Sequence, residues 1–262
     1  MDNRPIGVYD SGIGGLTVFS KLVKLLPNEN YLYFGDTENI PYGTKSREEL
    51  LTITHKIMNF FKEQNVKAVV MACNTTSAVA YDTLKEDYDF TLYPVIQTAC
   101  KVIADMDEKK IGTLSTEATA KSHAYKKQLQ KYNPALEVFE HGCSGKWVEM
   151  VENHSQNKKE NEPILREHLK VVLEQNVDKI ILGCTHYPYL RSLLTDFAGK
   201  DIFIDPAEYF VYYIAQDLKN NDKLANKKEY EPKFFVSSNP EKFKNSSEIF
   251  YKLEELPILI KR

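Results

Sequence analysis

Short apolar runs rich in β-branched residues alternate with longer amphipathic stretches along most of the chain. Alternating or continuously apolar positions predict strands at residues 6–10, 31–34, 66–72, 92–95, 110–114, 136–141, 179–182, 202–205 and 234–237. Between most of them, apolar positions recur at helical spacing and predict helices over 16–26, 47–63, 77–86, 121–131, 164–174, 190–198 and 207–218. Strands alternating with helices of this length imply a largely parallel sheet with helices on both faces. Runs 66–72 and 179–182 are continuously apolar, as strands covered on both faces are, and read as central strands. Two polar runs, 153–162 and 219–231, are rich in Lys, Glu and Asn and read as solvated loops or helix ends.

The two central-strand candidates end alike. VVMACNTTSAVA, from Val69, and IILGCTHYPYL, from Ile180, each pass from an apolar run through a small residue to a cysteine and a cluster of hydrogen-bonding side chains. If each closes the central strand of its own α/β lobe, the fold is two similar lobes, each a mostly parallel sheet flanked by helices. Ligands of open α/β sheets bind beyond the carboxyl ends of the strands, so facing lobes would bring Cys73 and Cys184 to one cleft. A lone strand-end cysteine is usually a small buried hydrophobe. Here Cys73 is followed by Asn74, Thr75, Thr76 and Ser77, and Cys184 by Thr185 and His186, ahead of each predicted helix. The free N–H groups of a helix N-terminus favour a thiolate. His186 is an acid–base candidate beside Cys184. The remaining histidines, 55, 123, 141, 154 and 168, have no comparable setting and read as surface or satisfied core positions, as Cys100 and Cys143 read as core.

Composition narrows the class. Hydrophobic residues make up 42% of 262 and charged ones 27%, enough for a sizeable core in a soluble protein. The net charge of −3 gives no basic footprint for nucleic acid. The opening segment has no signal-peptide h-region, and no apolar stretch approaches the roughly 18 residues of a spanning helix, so no membrane role is expected and the cytoplasm is. The four cysteines form no CxxC pair and nothing supplies two ligand pairs at finger-like spacing, so neither a disulfide framework nor a metal is expected.

Two further loops fall at the same predicted sheet edge. DSGIGG, residues 10–15, follows the first strand, but Thr17 stands where a dinucleotide fingerprint needs its third glycine, and no P-loop pattern occurs. Asp10 there would anchor a substrate ammonium or take part in proton transfer. Its charge would raise a nearby thiol's pKa, so it is not the source of a thiolate. GDTENIPYG, residues 35–43, would offer backbone N–H groups and the Tyr42 phenol to a carboxylate. No Arg or Lys appears in these loops before Lys45, so an anion would be held by hydroxyls, amides and helix N-termini.

With DSGIGG, GDT…PYG, CNTTSA and GCTHYP in this order and spacing, the chain resembles the glutamate racemases of the cofactor-independent aspartate/glutamate racemase superfamily, over essentially its whole length. The resemblance implies two facing α/β lobes that bind glutamate between them, with Cys73 and Cys184 acting on opposite faces of the α-carbon. It implies helper roles for Asp10, His186 and a glutamate that is Glu152 or, alternatively, Glu149. It places substrate contacts at Asp10, Ser11, Pro41, Tyr42, Gly43, Asn74, Thr75, Thr116, Thr119, Thr185 and His186. The family's G-T-x-G-T loop stands here as Ser115-Thr116-Glu117-Ala118-Thr119, with both threonines kept and both glycines replaced. The resemblance further implies residues 1–97 with 210–262 as one lobe and 98–209 as the other, no cofactor, a homodimer, and D-glutamate supply for peptidoglycan.

Overall fold

The computed structural model describes residues 1–261. Its first four strands are β1 (Ile6–Asp10), β2 (Tyr31–Gly35), β3 (Ala68–Met71) and β4 (Thr91–Pro94). The next four are β5 (Lys110–Thr116), β6 (Glu137–Cys143), β7 (Lys179–Gly183) and β8 (Phe203–Ile204), followed by β9 (Lys233–Val236) and β10 (Ile258–Leu259). They form two sheets, ordered β10-β9-β2-β1-β3-β4 and β6-β5-β7-β8, and every described pairing is parallel. The expected α/β fold with two sheets flanked by helices is what forms. Within each half the first four strands run in the same order, second-first-third-fourth, and the two cysteines of the echo each follow the third strand.

Register aligns the strand ends. Asp10 pairs with Gly35, and the Ala72 N–H donates to the Tyr9 carbonyl, so the loops after β1, β2 and β3 leave one edge together. In the second sheet Thr116 pairs with Cys143 and Ser115 with Gly183, which aligns the ends of β5, β6 and β7 in the same way. The inner strands β1 and β3 are buried along their whole length, as continuously apolar parallel strands must be.

Elements differ from the sequence reading where tertiary context overrides local pattern. Residues 92–95 read as a strand, and β4 forms there but stops at Pro94, because Val95 opens a helix, Val95–Ile103, whose buried Val95, Ile96, Ala99, Cys100 and Ile103 follow helical spacing. Helices Lys146–Glu152 and Pro240–Ser247 and the short strand β10 were not expected either. The stretch 77–86 is two short helices, Asn74–Val79 and Tyr81–Leu84, and 121–131 is broken at His123, whose φ of 55° is left-handed. Helix Arg47–Glu63 stands as expected, opened by a reciprocal capping box between Ser46 and Glu49. Both expected lobe boundaries fall inside helices, Val95–Ile103 and Pro206–Asn220, which pack against each other. Residues of both sheets, among them Val8, Val70, Ile111 and Ile181, join these helices in one continuous core.

The chain entering β3 is held by a buried charge. Lys67, at 1% exposure, donates to the Glu29 carboxylate at 2.5 Å and to the carbonyls of Asp2 and Lys223, both at 2.7 Å. One ammonium thus ties the N-terminus, the approach to β2 and the C-terminal segment to the strand that delivers Cys73. Lys67→Ala should lower unfolding free energy by about 3–5 kcal/mol, because it leaves Glu29 buried without a counterion. Urea unfolding followed by circular dichroism checks this, and a loss within experimental error of zero would contradict it.

Candidate active site

Cys73 leaves β3 and caps the six-residue helix Asn74–Val79. Cys184 leaves β7, but no α-helix starts there: a 3₁₀ turn, Tyr187–Leu190, intervenes before helix Arg191–Ala198. The expectation of a helix N-terminus at each sulfur is therefore corrected at Cys184 and weakened at Cys73, where so short a helix offers little dipole. Both sulfurs are buried, at 4% and 7% exposure, and both line one cleft between the sheets.

Cys184 sits at the end of a chain of side-chain partners. Its Sγ lies 3.8 Å from His186 Nδ1, and His186 Nε2 lies 3.1 Å from Glu152 Oε1. Burial works against a charge on His186, but the hydrogen bonds to Cys184 and Glu152 outweigh it and push the imidazole up to about 10. The ring is thus an imidazolium between a sulfur and a carboxylate. Glu152 reaches it from the unforeseen helix Lys146–Glu152, and of the two glutamates considered it is the one bonded to His186.

Cys73 has the opposite surroundings. Burial and then the charge of Asp10 push its thiol up to about 12, so it keeps its proton. Asp10 is fully buried, and burial raises its own pKa against the lowering effect of the His186 charge. Its carboxylate accepts from the Gly12 N–H at 3.0 Å and from the Thr185 hydroxyl at 3.3 Å, which links the loop after β1 to the loop after β7. Gly14 makes this approach possible. A Cβ there would lie 2.4 Å from Thr185 Oγ1 and 2.6 Å from the His186 ring. The glycines of DSGIGG therefore serve contact between the halves as well as a tight turn.

The rim is built from hydroxyls and amides. Thr75 Oγ1 meets Thr116 Oγ1 at 3.0 Å, and Thr116 meets Thr119 Oγ1 at 3.0 Å, a chain of hydroxyls across the two halves. The Tyr125 hydroxyl donates to Asn74 Oδ1 at 2.6 Å, leaving the Asn74 amide nitrogen as donor. The Tyr42 phenol is not offered to the cleft as the sequence suggested. It is buried and donates to Asp36 at 2.5 Å, so this turn presents backbone and ring instead. Asp36 is held in turn by the Ser237 hydroxyl at 2.7 Å.

Of the expected residues, Ser11, Pro41, Tyr42, Gly43, Cys73, Asn74, Thr75, Thr116, Cys184, Thr185 and His186 line the cleft. Asp10, Thr119 and Glu152 stand behind that wall and act on it through hydrogen bonds. Glu117, Cys143, Val148 and Tyr187 also line it and were not foreseen. Glu117 lies within the altered Ser115–Thr119 loop, which was a readable signal; Val148 depends on a helix the periodicity did not show. No lysine or arginine lines the cleft among the described residues.

The family model described as Asp/Glu/Hydantoin racemase matches residues 6–213. The chain belongs to that family. A glutamate racemase of Thermoanaerobacter pseudethanolicus is 38% identical over 95% of this chain and 94% of that protein, and one of a Nostoc species is 40% identical over 92% and 82%. The crystal structure of the Francisella tularensis glutamate racemase in complex with D-glutamate aligns at a TM-score of 0.92 and 36% identity, covering 99% of this chain and 98% of that one. An aspartate racemase of Picrophilus torridus, at 19% identity and a TM-score of 0.59, shares the fold. Family membership brings an amino-acid racemase's chemistry to a cleft lined by Cys73, Cys143 and Cys184.

His186 titrates at about 10 in the folded chain against an ordinary 6.5. Its charge therefore adds stability that is complete below about 6.5 and is lost as pH climbs through about 10. Glu152→Gln removes one partner of that charge, so the His186 ring resonance should titrate at lower pH and stability should fall less steeply across this window. NMR titration with thermal unfolding checks it; an unmoved His186 titration would contradict the pairing.

Proposed function

We infer that this chain interconverts L- and D-glutamate by proton transfer at the α-carbon, without a cofactor. The observation that carries the reading is one cleft lined by three buried cysteines, two of which, Cys73 and Cys184, end corresponding strands and stand in opposite electrostatic settings. Beside His186 a thiolate has a cation; beside Asp10 a thiol keeps its proton. Relatives at 38–40% identity that bear the name glutamate racemase supply the substrate.

The steps follow from that asymmetry. Glutamate lies with its α-carbon between the sulfurs, its carboxylates held by hydroxyls and amides of the rim. The Cys184 thiolate takes the α-proton of one enantiomer, and the electron pair left on carbon spreads into the α-carboxylate. The Cys73 thiol returns a proton to the opposite face. The reverse reaction starts from a Cys73 thiolate and a protonated Cys184. A charge on Cys184 raises the cost of ionising Cys73, which disfavours two thiolates at once. Asp10 and the His186–Glu152 pair tune the two sulfurs, while Ser11, the Pro41-Tyr42-Gly43 turn, Asn74, Thr75, Thr116, Thr119 and Thr185 bind and orient the substrate. Carbon acidity this low is usually overcome by a pyridoxal electron sink. A cleft wall without lysine favours fixed donors and paired acid–base groups instead.

In this reading residues 1–97 with 210–262 form one lobe and 98–209 the other, and the chain works as a cytoplasmic homodimer that supplies D-glutamate for peptidoglycan. No helix among the described residues is long and apolar enough to cross a membrane.

Two measurements test it together. From either pure enantiomer in deuterated water, the product should carry deuterium before the remaining substrate does, because the sulfur facing the product has already exchanged with solvent. Cys73→Ser and Cys184→Ser should each lower kcat by about 100- to 10,000-fold, the range ascribed to a positioned acid–base group. Cys100→Ser should leave turnover largely intact. Early deuterium in unreacted substrate, or equal catalytic efficiency on aspartate, would overturn the two-base glutamate reading.

A further inference from the structure

One cluster of potential ligands lies outside the proton-transfer machinery. His141 and Cys143 are two apart on β6 and so share one face of the strand, and His168 faces them from helix Glu162–Leu173. One ligand atom from each, an imidazole nitrogen or the sulfur, lies within 4.8 Å of both others. His141 Nε2 meets His168 Nδ1 at 2.8 Å, and the Ser144 N–H donates to His168 Nε2 at 3.3 Å. A ring that accepts at Nε2 carries its proton on Nδ1, so His168 donates to His141. Both rings are neutral here, the form that binds metals.

We propose that His141, Cys143 and His168 form a binding site for a thiophilic divalent cation of the zinc class, set in the wall of the cleft, which Cys143 lines. Two imidazoles and a thiolate select zinc-like ions over magnesium or calcium, which take oxygen ligands. Zinc bonds of about 2.0–2.3 Å place tetrahedral ligand atoms roughly 3.5 Å apart, so the three need only small side-chain rotations to close on an ion. Binding breaks the hydrogen bond between the imidazoles, moves the His168 proton from Nδ1 to Nε2 through solvent as the Ser144 N–H contact is given up, and releases the Cys143 proton to solvent. Three protein ligands leave a fourth position for water. The Tyr187 hydroxyl, buried and otherwise without a partner, stands near the sulfur as a donor, against the burial that pushes the Cys143 thiol up. The ion would pin edge strand β6 to helix Glu162–Leu173, and β6 leads directly into the helix that carries Glu152.

The test uses the full chain, stripped with a chelator and titrated with Co²⁺ alone and with Zn²⁺ in competition with a chromophoric chelator. One ion per chain should bind, with a thiolate-to-cobalt charge-transfer band in the near ultraviolet. Zinc should raise the thermal midpoint, as any ligand of the folded state does. Cys143→Ser should abolish the band. His168→Gln and His141→Asn, at half-buried positions that tolerate change better, should each weaken affinity by at least about 10- to 100-fold, the range that loss of even an outer partner costs. Cys73→Ser and Cys184→Ser should leave band and stoichiometry intact. A band that survives Cys143→Ser and vanishes in Cys184→Ser would place the metal in the cleft and overturn the proposal. So would the absence of binding at micromolar free metal, or equal affinity in the histidine variants.

Discussion

Burial makes a charge on either sulfur expensive, and the site is organised around giving only one of them a counterion. Both cysteines are more than nine-tenths covered, and at Cys73 that burial pushes the thiol up. Cys184 lies beside His186, whose charge is favoured by the hydrogen bonds to Cys184 and Glu152. At Cys73 the charge of Asp10 adds to the cost of burial. Two chemically identical groups are thereby given different surroundings, a histidine cation beside one and a carboxylate near the other.

That arrangement depends on how the halves meet. Asp10 comes from the first half, yet its carboxylate is bonded to Thr185 and felt by His186, both from the second. The contact exists because Gly14 lets the loop after β1 lie directly against the loop after β7. The hydroxyl chain from Thr75 through Thr116 to Thr119, and the bond from Tyr125 to Asn74, close the same seam elsewhere. Electrostatic asymmetry and lobe docking are therefore one property: separating the halves would remove the Thr185 donor from Asp10 and the His186 charge beside it.

The halves share a strand order but not a complement of strands. Only the first sheet is extended, by β9 and β10 from the C-terminal segment. Ser237, just beyond β9, bonds Asp36, and Asp36 in turn holds the Tyr42 phenol. The C-terminal strands thus act on the cleft at one remove, by fixing the turn that forms its rim. This explains why Tyr42 is buried rather than offered to a ligand.

Much of this was legible in the sequence because strand-end chemistry is local. Apolar runs that stop at a cysteine, the glycine-rich turn after Asp10 and the hydroxyls around residues 74–77 lie within a few positions of the strands that aim them, so periodicity alone brings them to one sheet edge. Short helices were less legible: Val95–Ile103 begins in β-branched residues, and Lys146–Glu152 has too few turns to show a period. What the sequence could not contain was pairing across distance. Glu152 reaches His186 from 34 positions away, Tyr125 reaches Asn74 from 51, and His168 reaches His141 from 27. Local spacing determined which residues stand at the cleft; only the docking of the two sheets decided which carries charge, because a buried charge depends on partners that arrive from other parts of the chain.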